Sequence, residues 1–310
     1  MYPIVLISIV ISTILSIGFN KLFIKKNKID IINKRSSHKV TATRSGGLSI
    51  FLTLFLITLY YYINSNQIFD FSLIIPLGIL LLIGVYDDIY RADFKLKFIF
   101  QLIAAKIIVD QGVILESLNG FLGIYEITYM YGQFFTIFLI VLISNAINFT
   151  DGIDGLAITE TLKSLLIIYF VHTNLTSNII ILIVASAIVP LYYFNFKTNN
   201  KVFLGDGGSL FLGGLISYVL INFLNYNSSI SGNINSIILI LICCLYPLAD
   251  LIRVVVIRVI NKKSPFDADK NHIHHYFLRR GYSQVKSTLI ITLVTLIFQI
   301  SLLWYLNNWV

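Results

Sequence analysis

Charge is what this chain has little of. Asp, Glu, Lys and Arg make up 12% of its 310 residues, about half the share that covers an ordinary soluble globule. That excludes the pair of water-soluble domains this length would otherwise suggest. Cysteine is nearly absent. The two present, Cys243 and Cys244, are neighbours in an apolar run, a spacing that suits neither a disulfide nor a metal site, so both are read as lipid-buried packing residues. A low-complexity linker, a soluble domain and an internal repeat are also missing. The stretch from Met1 to Phe19 lacks the positive flank of a cleavable signal, its lysines coming afterwards, and reads as a retained first span entering from outside.

What the chain has is hydrophobicity. Residues of the AVILMFWYC set are 57% of it, and the mean hydropathy is +0.83. Apolar runs separated by short polar breaks cover approximately 3–23, 46–62, 72–86, 96–113, 133–148, 156–171, 178–194, 208–224, 234–258 and 286–306. Each is expected to be helical, because unpaired backbone amides cannot sit in hydrocarbon. The expected fold is an all-α polytopic membrane protein: one integral-membrane domain over 1–310 with about ten transmembrane helices. Residues 114–131, with Gly120 and Gly123 between alternating apolar positions, read as a small hairpin on the outer surface.

The net charge is +8, and its distribution is one-sided. Of the 23 Lys and Arg residues, 22 fall in or beside the segments 20–45, 86–97, 145–163, 195–209 and 253–286; the other is Lys106 within the fourth run. The intervening connections and both chain ends carry none. The positive-inside rule then places those five loops in the cytoplasm and both termini outside. It also explains the basic excess without nucleic acid, which is not expected as a partner.

The acids cluster on the same side. Gly84-Val85-Tyr86-Asp87-Asp88-Ile89-Tyr90-Arg91-Ala92-Asp93 holds adjacent carboxylates with a third five positions on, a costly arrangement unless a cation shares them; a solvated helix end countered by Arg91 is the plainer alternative. In Asn145-Ala-Ile-Asn148-Phe-Thr-Asp151-Gly152-Ile-Asp154-Gly155, amides and acids recur at three-residue intervals, on one helix face and beyond what a helix cap needs. Phe203-Leu204-Gly205-Asp206-Gly207-Gly208-Ser209 puts an acid among glycines at a helix start. Exposed amides there attract phosphate oxygens, and an acid tolerates phosphate when a divalent ion bridges them. His272-Ile273-His274-His275, with Arg279 and Arg280 nearby, lacks the further ligands of a closed zinc site and suits phosphate binding or proton handling. Arg44 precedes Gly46 and Gly47 at the end of a basic loop. Asp30, Asp70, Glu116, Glu126 and His172 read as ordinary loop or boundary residues.

Taken together, GVYDDIYRAD, NAINFTDGIDGLA, FLGDGGS and HIHH resemble, in order and over nearly the whole chain, the motifs of the polyprenyl-phosphate N-acetylhexosamine-1-phosphate transferases, the WecA/MraY superfamily (glycosyltransferase 4). HIHH resembles the WecA-like branch. That branch often has prolines before Arg-x-Gly-Gly, where this chain has Thr41-Ala42-Thr43. The resemblance implies ten or eleven membrane helices in the bacterial inner (plasma) membrane with a cytoplasmic active site. It implies transfer of N-acetylhexosamine-1-phosphate, GlcNAc-1-phosphate by default, from a UDP-sugar to undecaprenyl phosphate. The products would be the lipid diphosphate sugar and UMP, the initiating step of a cell-envelope glycan such as lipopolysaccharide. Mg²⁺ is the implied cofactor, with Mn²⁺ able to substitute; membrane lipids are implied partners, and a homodimer is a family habit. Carried over by motif, Asp206 resembles the principal metal ligand and Asp88 a second. Asp87 resembles the group that orients or deprotonates the lipid phosphate, and Asn148 and Asp151 look like substrate- and metal-supporting residues. Gly152, Asp154, Asn195 and Phe203 resemble a uridine pocket, and His272, His274 and His275, with Arg44 and Arg279, would meet the diphosphate. A transporter or flippase is the rival from another class, disfavoured by the near absence of mid-span charge apart from Lys106. A lipid phosphatase would release inorganic phosphate without a UDP-sugar.

Overall fold

The computed structural model describes residues 2–30, 41–65, 70–171, 175–228, 236–264 and 271–309. Among these, twelve α-helices form: α1 Tyr2–Lys25, α2 Gly46–Ile63, α3 Ile74–Tyr90, α4 Phe94–Asp110, α5 Tyr129–Thr150, α6 Leu156–Val171, α7 Leu175–Phe196, α8 Gly205–Ser228, α9 Ser236–Cys243, α10 Leu245–Ile260, α11 Ile273–Arg279 and α12 Gln284–Trp309. The only sheet among them is a pair of two-residue strands, β1 Ala42–Thr43 parallel to β2 Lys201–Val202. The all-helical expectation therefore holds. Among the described residues seven helices are long and apolar enough to cross a membrane, and there are eight such spans if a bent pair counts as one. The helices α4 and α6 have 17 and 16 residues and fall just short of that length. Residues 114–128 are non-helical and turn back through a bridge between Phe121 and Ile124.

Helix α8 runs through the centre. Of its apolar stretch 89% is buried, against 17% for α1 and 22% for α12 at the periphery. Small residues allow this close approach. A Cβ on Gly47 of α2 would lie 2.2 Å from the Cα of Gly208, and one on Gly84 of α3 would lie 2.4 Å from the backbone of Asp206 and Gly207. The glycines of the first loop, the Asp-Asp segment and GDGG thus set backbone against backbone at one end of α8. In α1 the buried positions are Ser8, Ser12, Ser16 and Asn20, each one turn apart. The Ser12 hydroxyl donates to the Ala187 carbonyl at 2.6 Å and Ser16 to Ser49 at 2.9 Å, polar contacts of the kind that join helices in lipid.

The run 234–258, expected as one helix, is two. The α9 and α10 axes bend by 96° at Cys244. The cause is Pro247, which has no N–H to give the Cys243 carbonyl four residues back and whose ring crowds it. Freed carbonyls cannot be left bare in an apolar interior. The Ser164 hydroxyl donates to the Cys243 carbonyl and the Gln299 amide to that of Ile242, both at 2.6 Å. Cys243 and Cys244 are free thiols buried in protein at this break, not in lipid.

The Thr41-Ala42-Thr43 segment has a defined path without proline. The Lys201 N–H donates to the Thr41 carbonyl at 3.0 Å, Phe203 to Thr43 at 2.8 Å, and Gly46 to Phe203 at 2.9 Å. These bonds fasten the end of the first loop to the segment leading into α8, and so place Arg44.

Candidate active site

Helices joined by short links run alternately up and down, so the starts of α2, α4, α6 and α8 and the ends of α3, α5 and α7 meet at one end of the bundle. All the motif segments lie there. Asp87 and Asp88 occupy the last turn of α3, which Arg91 closes in a left-handed conformation (φ 57°). Asp93 is not part of the acid cluster: its carboxylate caps α4, accepting the Lys95 N–H at 3.4 Å. Asp206 sits in the first turn of α8, Asn148 in the last turn of α5, and Asp151 caps α5.

These acids surround two cations. Nζ of Lys97 is 2.5 Å from Oδ2 of Asp206, 2.9 Å from Oδ2 of Asp87 and 3.5 Å from Oδ1 of Asn148. The Asn148 amide donates in turn to the Ser209 hydroxyl at 2.8 Å. Nη1 of Arg44 is 2.9 Å from Oδ1 of Asp88 and 3.7 Å from Oδ1 of Asp206, while Nη2 is 3.2 Å from Asp30. The α8 N-terminus binds the remaining oxygens: Asp151 accepts the Gly205 N–H at 3.0 Å and Asp88 the Gly207 N–H at 3.3 Å. Carboxylates at a helix N-terminus are favoured by the orphan amides there. Among the described residues Asp30, Asp87, Asp88, Asp151 and Asp206 gather around Arg44 and Lys97, more carboxyl groups than cations. Burial, with the Asp206 charge adding to it, pushes Asp151 up to about 6 although Arg44 and the Gly205 amide oppose this. So many carboxylates around one point fit a further cation.

Among the described residues no three His, Cys, Asp or Glu side chains converge as a ready-made metal site. Lys97 stands between Asp87 and Asp206, and Arg44 between Asp88 and Asp206. The donor set nevertheless suits Mg²⁺, a hard cation that takes one or two carboxylates and fills its other positions with water and phosphate oxygens.

The histidines form a second cluster beside the first. The rings of His272 and His274 stack at 5.4 Å and 7°, with His275 4.3 Å from His274. His274 is buried, and neither ring nitrogen has a hydrogen-bond partner among the described residues. Burial, reinforced by His275 and His272, lowers it to about 3, so it is a neutral ring. A Cβ at Gly152 would lie 2.3 Å from its Nε2; only glycine lets the imidazole sit against the turn that follows Asp151. His272 Nδ1 is 2.7 Å from Oδ2 of Asp250.

The residues expected around uridine gather near β2. Asp154 pairs with Lys201; its N–H donates to Gln284 at 2.9 Å and its carbonyl accepts from Thr288 at 2.8 Å. The Asn195 amide donates to the Val202 carbonyl at 3.1 Å, and its buried oxygen has no partner among the described residues. Phe203 is half-buried in the adjoining chain. Arg279 is exposed at the end of α11.

Lys97, Lys201 and Asp30 escape a reading of the sequence. Lys97 carries a faint signal, since a lysine one turn inside an apolar helix needs an acid. Asp30, on sequence an ordinary loop acid, is instead a partner of Arg44. Lys163, which the charge count assigns to a cytoplasmic loop, lies two turns inside α6, buried against Glu160.

The profile described as Glycosyl transferase family 4 matches residues 70–224. A Bacillus subtilis protein named probable undecaprenyl-phosphate N-acetylglucosaminyl 1-phosphate transferase is 32% identical over 287 residues, 91% of this chain and 78% of that protein. Undecaprenyl-phosphate alpha-N-acetylglucosaminyl 1-phosphate transferases of Yersinia pestis and Escherichia coli K12 are each 27% identical, over 88% and 93% of this chain and 75% and 79% of their own lengths.

Proposed function

We propose, on the premise that this chain belongs to glycosyl transferase family 4, that it transfers N-acetylglucosamine-1-phosphate from UDP-GlcNAc to undecaprenyl phosphate, releasing UMP. The observation that carries this is the Asp87–Lys97–Asp206–Arg44 cluster: acids and cations interleaved at the boundary end of a lipid-compatible bundle, with Asp30, Asp88 and Asp151 as further carboxyl groups around it.

The reaction brings two anions together. An oxygen of the lipid phosphate attacks the sugar-side phosphorus of UDP-GlcNAc; the bond from that phosphorus to the UMP oxygen breaks, and UMP leaves with the electron pair. A phosphate monoester has its second pKa near ~6 and is mostly dianionic at neutral pH, so Asp87 positions the nucleophile more than it deprotonates it. Arg44 and Lys97 neutralise phosphate charge as it gathers in the transition state. Neutral His274 offers a hydrogen bond to the diphosphate. Asp154, Asn195 and Phe203 flank the nucleoside. A magnesium ion, when bound, neutralises the diphosphate and polarises its phosphorus–oxygen bonds. Asp206 would hold it, and Asp87 is the better second oxygen. Asp88, the second ligand by motif, has a side chain only 2% exposed, with one oxygen on Arg44 and the other on the Gly207 amide.

The same reading extends to topology. Adding α4, α6 and the bent α9–α10 pair to the seven long helices gives ten spans, with both termini outside and the site at the cytoplasmic face of the plasma membrane; the one-sided Lys and Arg distribution supports this. The product would begin a cell-envelope glycan.

The test is UMP release by purified protein in detergent with Mg²⁺, undecaprenyl phosphate and a panel of UDP-sugars. Release that requires both lipid and UDP-GlcNAc supports the reading. Release of inorganic phosphate without nucleotide would replace it with a phosphatase, and a trapped phospho-aspartyl enzyme would replace direct attack.

A further inference from the structure

One buried acid has no part in the steps above. Asp250, on α10, has a side chain 1% exposed, and a carboxylate so placed is costly unless both oxygens are satisfied. Both are, by a single short segment. Oδ2 lies 2.7 Å from Nδ1 of His272, and Oδ1 accepts the Ile273 N–H at 2.8 Å. One turn on, Arg253 lies 3.7 Å from Oδ1 of Asp250 and donates to the Asn271 carbonyl at 2.6 Å. Residues 271, 272 and 273 are thus each held by one turn of α10.

The chemistry of that grip is directional. A carboxylate only accepts, so the proton of a neutral His272 ring is on Nδ1 and its lone pair on Nε2. The ring plane is fixed as well, by the parallel stack with His274 and by the edge of Phe149 at 5.5 Å. His274 in turn rests against Gly152, next to Asp151.

We propose that Asp250 is the positioning residue of the histidine segment: it fixes the tautomer and orientation of His272 and acts on phosphoryl transfer through that ring. This rests on the transferase reading above. The substitution Asp250→Asn leaves one acceptor and one donor where there were two acceptors. With the amide oxygen on the Ile273 N–H, the amide nitrogen faces Nδ1, which must then accept, and the proton moves to Nε2.

The experiment is a double-mutant cycle of Asp250→Asn and His272→Gln on the full chain in detergent, with Asp250→Glu alongside, reading UMP release and thermal unfolding. Asp250→Asn is expected to fold and to lose about 10–100-fold in kcat, the usual effect of removing a group that orients another. In the His272→Gln background the same substitution is expected to change kcat by less than about twofold, because coupled sites are non-additive. Effects that multiply, or an Asp250→Asn enzyme with parental kcat, overturn the proposal. So does failure of both Asp250 variants to fold, which would make the acid purely structural. Selectively ¹⁵N-labelled histidine spectra report independently of turnover: His272 carries its proton on Nδ1 in the parent and on Nε2 in Asp250→Asn, and an unchanged tautomer overturns the inference. If the parent releases no UMP while the spectra behave as expected, the transferase reading fails and the action on phosphoryl transfer falls with it, while the hold of Asp250 on the His272 tautomer stands.

Discussion

Nζ of Lys97 lies 2.5 Å from Oδ2 of Asp206, across 109 residues of chain, and within 2.9 Å of Asp87. An ammonium shared by two carboxylates occupies the position a divalent cation would favour. On the proposed reading, lysine and metal would satisfy the same oxygens.

That competition is measurable. Lys97→Met leaves Asp87 and Asp206 without their shared cation, a deficit Mg²⁺ can fill. The variant is expected to unfold at lower temperature than the parent in EDTA and to gain more stability on adding Mg²⁺. Its UMP release should fall by about 10² or more, as when a transition-state charge partner is removed. An equal Mg²⁺ response in both proteins would deny that Lys97 and the ion share ligands.

Asp206→Asn is the complementary change. It removes the charge common to Lys97 and Arg44 while keeping the side chain's shape. Turnover should vanish and folding persist. Retained turnover would take Asp206 out of the metal role.

The acid segments are legible in the sequence because ionisable residues stand out against an apolar background, and charge asymmetry places them at one end before any contact is known. Their partners are not legible. Lys97 and Asp30 acquire meaning only when α4 and the first loop fold against α3 and α8, pairings that no local spacing encodes. Pro247 is visible, but a proline in an apolar run can kink, cap or break a helix. The 96° break here depends on Ser164 and Gln299 arriving to take the freed carbonyls. The seven-residue α11 is too short to show a periodicity.

Gly152→Ala tests the contact between the two clusters. Its Cβ would lie 2.3 Å from Nε2 of His274, so the imidazole or the turn must move. Overpacking of this kind costs about 1–3 kcal/mol. Activity is expected to fall further than that stability loss explains, and Gly152→Ala combined with His274→Ala should unfold at a higher temperature than Gly152→Ala alone. No such rescue would mean the turn, not the ring, yields.

Asp151 gives a pH signature. Its folded pKa of about 6 lies above the ordinary 3.8, so its protonated form is the one folding favours. Stability from this group is full below pH 3.8 and is lost as pH rises through 6. Asp151→Asn removes the buried charge and can keep the bond from Gly205. In EDTA at about pH 7.5 the variant should melt higher than the parent, by up to about 3 kcal/mol in stability at about 1.36 kcal/mol per unit, and the gap should close towards about pH 4. A gap that persists at that acidity would locate the effect elsewhere.

Glu160 and Lys163 pose the hardest question, because buried charge inside a span, beside a broken helix, is also how ion paths are built. Lys163 lies 2.6 Å from Oε2 of Glu160 and donates to Thr295 at 2.6 Å, both side chains being almost wholly buried. The Ser164 hydroxyl and the Gln299 amide nitrogen are spent on the α9–α10 break, while the Gln299 oxygen and the Thr161 hydroxyl are buried without hydrogen-bond partners among the described residues. A path needs a mobile charge; here the ammonium is committed to Glu160 and Thr295. Glu160→Leu alone strands a buried ammonium and should cost about 3–5 kcal/mol, whereas Glu160→Leu with Lys163→Met, which leaves no charge, should recover most of that. Melting in detergent measures the recovery, and UMP release decides the role. If the double variant folds and turns over at the parental rate, the pair is a structural tie between α6 and α12. If it folds and is inactive, the pair belongs to the reaction and the bundle interior does more than hold the site in place.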